Sequence, residues 1–515
     1  MLDSQKAKRW ALVGIVVSVL VLGFDLTIMN VALPTMAADL GASTGELQWI
    51  VDSYAVVFAA CMLPAGLLGD RFGRRKLLVT GLVIFMIGSC MGVFADSSAM
   101  VIAARAVMGA GGALIMPLSL AVIPSLFEGA ERTKAIGAVT AGASIGMPLG
   151  PLLGGWLLDN FWWGSIFVLN IPLVAIGIAV CMLIPDTRDP SAPRVDVFST
   201  ALGVLGLGAL VFGVIEAPSR GWGDSLVVAT LIGSVVLLVG LVLRERRAER
   251  PMLDLGLLGD RAFGWNTLVA VLATLVVTGL LFVTPQYLQA VMGNDPFGTG
   301  LRIAPLMIGL IVVGKKAPKL MERFGSRPLI TLGMVLFAVA MLLGSRTEVS
   351  DGYGYTALWL TITGFGFGFA MVPAMDGAIG ALPQDRAGSG TGLLSTLRQV
   401  GGAIGVAVLG SVLSTRFIDR IDTDQLPAAA ADRAEESVVA AHGVADQLSL
   451  PQLTQSANEA YVSGMNTVLL ICGIAALLIA VLVAVRLPEH NKQPQKKKED
   501  ETQAAAELAP ADSSG

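Results

Sequence analysis

The chain has 515 residues, of which 54% are apolar and only 14% charged, with a mean hydropathy of +0.73. This balance excludes a water-soluble globule, in which about a quarter of residues are charged. A net charge of −4 speaks against a nucleic-acid partner.

The chain opens with Lys6, Lys8 and Arg9, followed by an apolar run from Trp10 to Val31. That run is too long for the core of a secretory leader and carries Asp25 and Asn30, so it reads as a first span that is kept. Thirteen further apolar segments bring the expected spans to fourteen. They are placed at about 10–33, 46–68, 77–95, 99–124, 133–157, 162–184, 197–216, 225–243, 262–284, 298–314, 328–345, 353–375, 387–414 and 462–486. With the N-terminus inside, 27 of the 35 Lys and Arg fall in cytoplasmic segments, five lie outside and three within spans (Arg105, Arg302, Arg398). A multi-pass protein of the plasma membrane with both termini cytoplasmic is therefore expected.

Between the second and third spans lies a tight cationic turn containing Gly66, Gly69, Asp70, Arg71, Gly73, Arg74, Arg75 and Lys76. Gly73 can take positive φ and reverse the chain, while Asp70 can cap a helix or pair with an arginine. Asp70-Arg71-Phe72-Gly73-Arg74-Arg75 recurs in degraded form as Glu322-Arg323-Phe324-Gly325-Ser326-Arg327, an offset of 252 residues. Removing the two spans near 197–243 leaves about the length of a six-helix unit, which indicates an internal repeat. The expected fold is an all-α membrane protein: a bundle over 1–190, two inserted helices over 191–250, and a second bundle over 251–487. Segment 415–461 lies outside, read as a linker with one or two short helices ahead of a cap on the outer mouth. Residues 488–515 read as a disordered cytoplasmic tail.

Cys61, Cys90, Cys181 and Cys472 all sit in apolar runs and are expected as thiols. Both histidines, His442 and His490, lie outside the spans, so no metal site is expected and an embedded proton carrier has to be a carboxylate. Charges within spans are costly and are functional candidates by default. Asp25 lies nine residues before Pro34, roughly 13 Å along a helix. Asp52 enters the second span from outside, and Arg105 enters the fourth to a similar depth. Two acids and one base thus share one outer-half layer. Two readings stay open for them: an ion-pair clamp, or a titrating site in which Asp25 carries the proton, Asp52 faces substrate and Arg105 tunes both. Asn30, Tyr54, Asn170, Gln286, Tyr287, Gln289, Arg398 and Gln399 are polar or aromatic residues placed to line a cavity.

The fifth span carries Gly137, Gly142, Gly146, Pro148, Gly150, Pro151, Gly154 and Gly155. Glycines at 142, 146, 150 and 154 fall on one helical face and offer a groove for close helix packing. The prolines invite a kink.

The turn G-x-L-x-D-R-x-G-R-R-K resembles the loop between helices 2 and 3 of the major facilitator superfamily. The pattern G-x8-G-x3-G-P-x2-G-G (Gly137 to Gly155) resembles the helix 5 motif of its proton-driven exporters. Leu22 to Pro34 resembles the L-D-x-T-[IV]-x-N-x-A-L-P signature of its fourteen-span drug:proton antiporters (EmrB/QacA type). Arg105 to Gly109 resembles their R-x-x-x-G motif, and Trp49 to Tyr54 and Pro251 to Asp254 also match that branch. The resemblance covers about Trp10 to Leu487. It implies export of amphipathic toxic compounds, often lipophilic cations, driven by the proton gradient with no other cofactor, and it implies a gating role for the Asp70 loop. Small amphiphiles, protons and the bilayer are the expected partners, and a monomer the expected state. The chain departs from cation exporters that place acids in helices 10 and 13: it has Leu310 in the first, and Ser395, Thr396, Arg398 and Gln399 in the second. This disfavours dications and opens the alternative of a narrow exporter of one antibiotic, including neutral or anionic ones. No G-x4-G-K-[ST] loop is present, so energy has to come from a gradient, and no enzyme site is expected.

Overall fold

The computed structural model describes residues 5–127, 129–182, 184–187, 196–248, 251, 253–382 and 387–487. The predicted tail 488–515 and the predicted boundary at 190 lie outside them. "Inner" and "outer" below follow the orientation expected from the Lys and Arg distribution.

The described residues form helices and no strand. The first bundle comprises α1 (Gln5–Leu40), α2 (Thr44–Phe72), α3 (Arg74–Val93), α4 (Ser98–Leu126), α5 (Gly129–Asn160) and α6 (Ser165–Cys181). Two more helices follow, α7 (Val197–Arg220) and α8 (Ser225–Arg247). The second bundle comprises α9 (Arg261–Gln286), α10 (Pro296–Phe324), α11 (Ser326–Gly344), α12 (Tyr353–Gly380), α13 (Ala387–Ile418) and α16 (Pro451–Arg486), with short α14 (Ala428–Glu436) and α15 (Val438–Leu448) before the last. Eleven of the described helices are long and apolar enough to cross a membrane, and α6, α2 and α5 pack among them. Fourteen spans are compatible with that count.

Several helices extend beyond the membrane spans expected from the sequence. α1 continues through Pro34, because a proline removes only its own N–H and a membrane helix absorbs the loss. The helix ends at Gly41, whose φ of +62° an L side chain rarely adopts. Asp25 is therefore fifteen residues, roughly 22 Å, from the end of α1 rather than 13 Å. α10 likewise runs past Lys315, Lys316 and Lys319 to Phe324, since lysines are good helix formers and their stems reach the membrane surface. α16 begins at Pro451, about three turns outward of the apolar run.

Within the first bundle α1 packs on α5 and α6, and α4 on α2 and α3; in the second, α9 packs on α13 and α12, and α11 on α12 and α16. The four-spaced glycines of α5 face α1. A Cβ on Gly146 would lie 2.6 Å from the Leu20 carbonyl oxygen, and one on Gly150 2.7 Å from that of Phe24. Gly137 is different: among the described residues nothing lies within 4 Å of its Cβ position. The bundles meet at their outer ends. Gln48 Nε2 donates to the carbonyls of Val406 (3.1 Å) and Ala407 (3.0 Å), Gln289 Nε2 to Val31 (2.8 Å), and Phe297 N to Asp159 Oδ2 (3.2 Å). Gly155 of α5 abuts Phe297, and Gly300 of α10 abuts Pro151. The outer side is thus closed. The segment read as a linker is folded: α15 packs on α1 and α16, and Thr44 Oγ1 donates to the Glu436 carbonyl at 2.9 Å.

α7 and α8 form a hairpin whose α7 side packs on α2 and α13. Asp196 caps α7 through the amides of Phe198 and Ser199, and accepts from Arg244 Nε at 2.8 Å. That hydrogen bond from Arg244, ahead of those from Ser199, pulls the Asp196 carboxyl from 3.8 down to about 2. A depressed folded value means that the stabilisation is present above the unfolded value and is lost as pH falls through the folded one. Asp196→Asn is therefore expected to lower the melting temperature at about pH 6, with the gap to wild type closing between about pH 4 and 2.

Replacing Gly150 by Ala forces a Cβ against the α1 backbone and is expected to cost about 1–3 kcal/mol, whereas Gly137→Ala is expected to be neutral. Thermal unfolding of both variants in detergent measures the contrast.

Candidate functional site: a buried ion pair in the first bundle

Arg105 stands on α4 and Asp25 on α1, and the two meet: Arg105 Nη1 lies 2.6 Å from Asp25 Oδ2, with both side chains at most 2% exposed. The guanidinium is held on two further sides. Its Nε donates to the Ile50 carbonyl at 3.2 Å, and its carbon lies 4.4 Å from the centre of the Tyr54 ring, a cation–π contact in a dry setting. Asn170 of α6 donates to the other Asp25 oxygen at 3.4 Å. Four helices thus contribute to one charged knot. Gly109, one turn beyond Arg105, lets α2 come in: its Cβ would sit 2.6 Å from the Tyr54 carbonyl oxygen.

Asp52 does not join the knot. It shares the layer in depth but not in direction. Ser53 Oγ donates to the Ile102 carbonyl of α4 at 3.1 Å, and Tyr54 faces Arg105. At 100° per residue Asp52 falls on the stripe of Gln48, which faces α13. It is fully buried there, and neither carboxylate oxygen has a hydrogen-bond partner among the described residues. Gln48 is the residue the sequence reading missed. Its signal was a lone amide one turn before an acid in an apolar helix.

Asn30 is buried and donates to the Leu26 carbonyl of its own helix at 3.1 Å. Tyr54 stacks on Phe58, with ring centres 5.6 Å apart. Gln286 is likewise tied to its own helix, through the Phe282 carbonyl at 2.9 Å. Arg398 and Gln399 are half-buried on α13; Arg398 Nη1 lies 3.8 Å from Met375 Sδ.

At the inner face Gly73 turns the chain with φ +114°. Its neighbours dock onto their own bundle: Arg74 Nη1 donates to the Ala121 carbonyl (3.0 Å), Arg75 Nη1 to that of Ile184 (3.2 Å), and Lys76 Nζ lies 3.8 Å from Asp186. Arg71 covers the Phe72 ring, Gly66 and Gly69 face α4, and the side chain of Asp70 lies outside the described residues. Asp186, the first acid after α6, was also missed by the sequence reading.

The family model of the Major Facilitator Superfamily matches residues 15–406. The chain belongs to that superfamily. It is 31% identical to the tetracenomycin C resistance and export protein of Streptomyces glaucescens, over 98% of this chain and 96% of that one. It is 34% identical to the multidrug resistance protein Stp of Mycobacterium tuberculosis, over 76% and 73%. Among superfamily structures, a bacterial homolog of the human lysosomal transporter Spinster, inward-facing and unoccupied, aligns with a TM-score of 0.67 at 17% identity, covering 94% of this chain and 98% of that one. At that identity the likeness shows the superfamily fold alone.

Removing one partner of the buried pair strands the other. Arg105→Ala is expected to cost about 3–5 kcal/mol, and Asp25→Asn combined with Arg105→Gln less than the two single changes together. A double-mutant cycle on melting in detergent should return a coupling of about 1–3 kcal/mol.

Proposed function

We propose that the chain is a proton-coupled antiporter of the plasma membrane that exports amphipathic drugs or antibiotics. The observation that carries this reading is the dry Asp25–Arg105 pair, with Asn170 on the second carboxylate oxygen. A proton on Asp25 Oδ2 cancels the attraction that holds α1 to α4 and leaves the guanidinium to the Ile50 carbonyl and the Tyr54 ring. Loss of the proton restores the pair. One site thereby has two packing states set by protonation, which is the minimum that coupling requires. Asp52, unpartnered at the α2–α13 seam, is the second candidate proton site. The cationic turn around Asp70 serves as the inner gate: its described side chains bond within the first bundle here, and it engages the second bundle when the inner side closes. The names of the relatives, one tied to a single antibiotic and one to multidrug resistance, support export and leave breadth to experiment.

The test uses inside-out vesicles carrying an acid-inside gradient reported by an acridine dye. Adding tetracenomycin C is expected to dissipate the gradient in the wild type and to leave it intact in Asp25→Asn, with ethidium added separately as a cationic comparison. Equal dissipation by that variant would remove Asp25 from the coupling path. A wild type that leaves the gradient untouched with both compounds would sink the antiport reading.

A further inference from the structure

The two bundles differ in how they treat a cation within the membrane. In the first, Arg105 has a carboxylate, a carbonyl and an aromatic face. In the second, Arg398 has none of these among the described residues. Its Nη1 reaches the Met375 thioether at 3.8 Å, its Nε has no hydrogen-bond partner, and it makes no ion pair among the described residues. A thioether sulfur is a weak acceptor and offers no counter-charge. Of the helices packed on α13, α9 carries no acid between its ends, and Asp376, near the inner end of α12, is exposed; Asp52 of α2, the acid on the stripe facing α13, makes no ion pair with Arg398 among the described residues.

The position of Arg398 suits a ligand. It lies eleven residues, roughly 16 Å, along α13 from its inner end at Ala387. The seam where Gln48 bonds Val406 begins eight residues further out, roughly 12 Å away. Arg398 thus sits near mid-membrane on the inner side of the closed seam, half-buried rather than sealed, with Gln399 beside it. Transporters of this build bind substrate at that depth. A guanidinium there costs free energy until an anion faces it.

From this we infer that Arg398 is a substrate-binding residue, and that the preferred cargo is an amphiphile carrying an acidic oxygen, a phenolate or a carboxylate, on an aromatic body. The fork of N–H donors takes the oxygen, while the Met375 thioether, at van der Waals range of the same guanidinium, offers a soft edge for the ring. The assignment rests on the export reading given above. It goes further by fixing the sign of the charge: a cation meets repulsion at Arg398 and an acid gains a partner.

The experiment takes the full chain and two dyes of one xanthene skeleton, anionic fluorescein and cationic pyronin Y. Binding to protein in detergent is measured by equilibrium dialysis. Gradient-driven uptake is measured in proteoliposomes with an acidic lumen, the dye retained on filters being read after lysis in alkaline buffer. Wild type is expected to bind fluorescein more tightly than pyronin Y. Arg398→Gln should weaken fluorescein binding by about tenfold or more, as for loss of a charged hydrogen bond, and leave pyronin Y unchanged or improved. Arg398→Lys keeps the charge without the fork and should fall between, which separates a lost contact from a misfolded bundle. Fluorescein binding that is unchanged in Arg398→Gln, or a wild type that prefers pyronin Y, overturns the assignment. Arg398-dependent binding without gradient-driven uptake would uphold the site and overturn the antiport reading instead.

Discussion

A charge that cannot reach water has to be answered by its neighbours, and the first bundle is packed around one such answer. For Arg105 to touch Asp25, α1 and α4 must hold a fixed depth and rotation to within a fraction of an ångström. The glycine face of α5 sets α1, with Gly146 and Gly150 pressed on the backbone between Leu20 and Ile28, on either side of the acid. Gly109 admits α2, which brings the Ile50 carbonyl and the Tyr54 ring to the guanidinium. The small residues of α4 and α5 are therefore the geometric condition for the ion pair. In lipid, where apolar burial does not drive helices together, close backbone approach and this pair supply the specificity.

The same α5 also faces the second bundle. Pro151 and Gly155 abut Gly300 and Phe297 of α10, on the stripe about 100° round from the one that faces α1. One helix thus couples the environment of Asp25 to the closure of the outer side. The seat of α1 and the seat of α10 thus share a single backbone. The inserted hairpin stands apart from this route. α8 packs on α7 and turns much of its apolar surface, including Ile232, Val235, Val236 and Val239, outward.

The spans and the pair were legible because bilayer physics is severe. An uncharged run of twenty residues has few uses, and Asp25 and Arg105 stand out against their surroundings. Shared depth was legible for the same reason, since Asp25, Asp52 and Arg105 fall in one layer, although the distance of Asp25 from its helix end, counted from Pro34, came out short. Direction was not. Asp52, Ser53 and Tyr54 are consecutive, yet they face α13, α4 and Arg105 in turn, and a helix rotation of 100° cannot be read without knowing the neighbours. The helices run on beyond the expected span ends at Pro34 and at the lysines of α10, because tertiary packing and snorkelling outweigh local preference. Gln48 escaped notice since a neutral amide carries little signal until its two acceptors on α13 are known.

Those acceptors give the outer closure a particular character. Beneath the rim, where Asp159 meets the Phe297 amide, the bonds across the seam run from neutral amides to backbone carbonyls. Dissolved ions screen opposite charges, and protons titrate acids and bases, but a glutamine amide offers neither a handle. Brine or acid in the surroundings can fray the rim while the bonds below it hold. The door on that side is deaf to the weather, and has to be opened by events within the membrane.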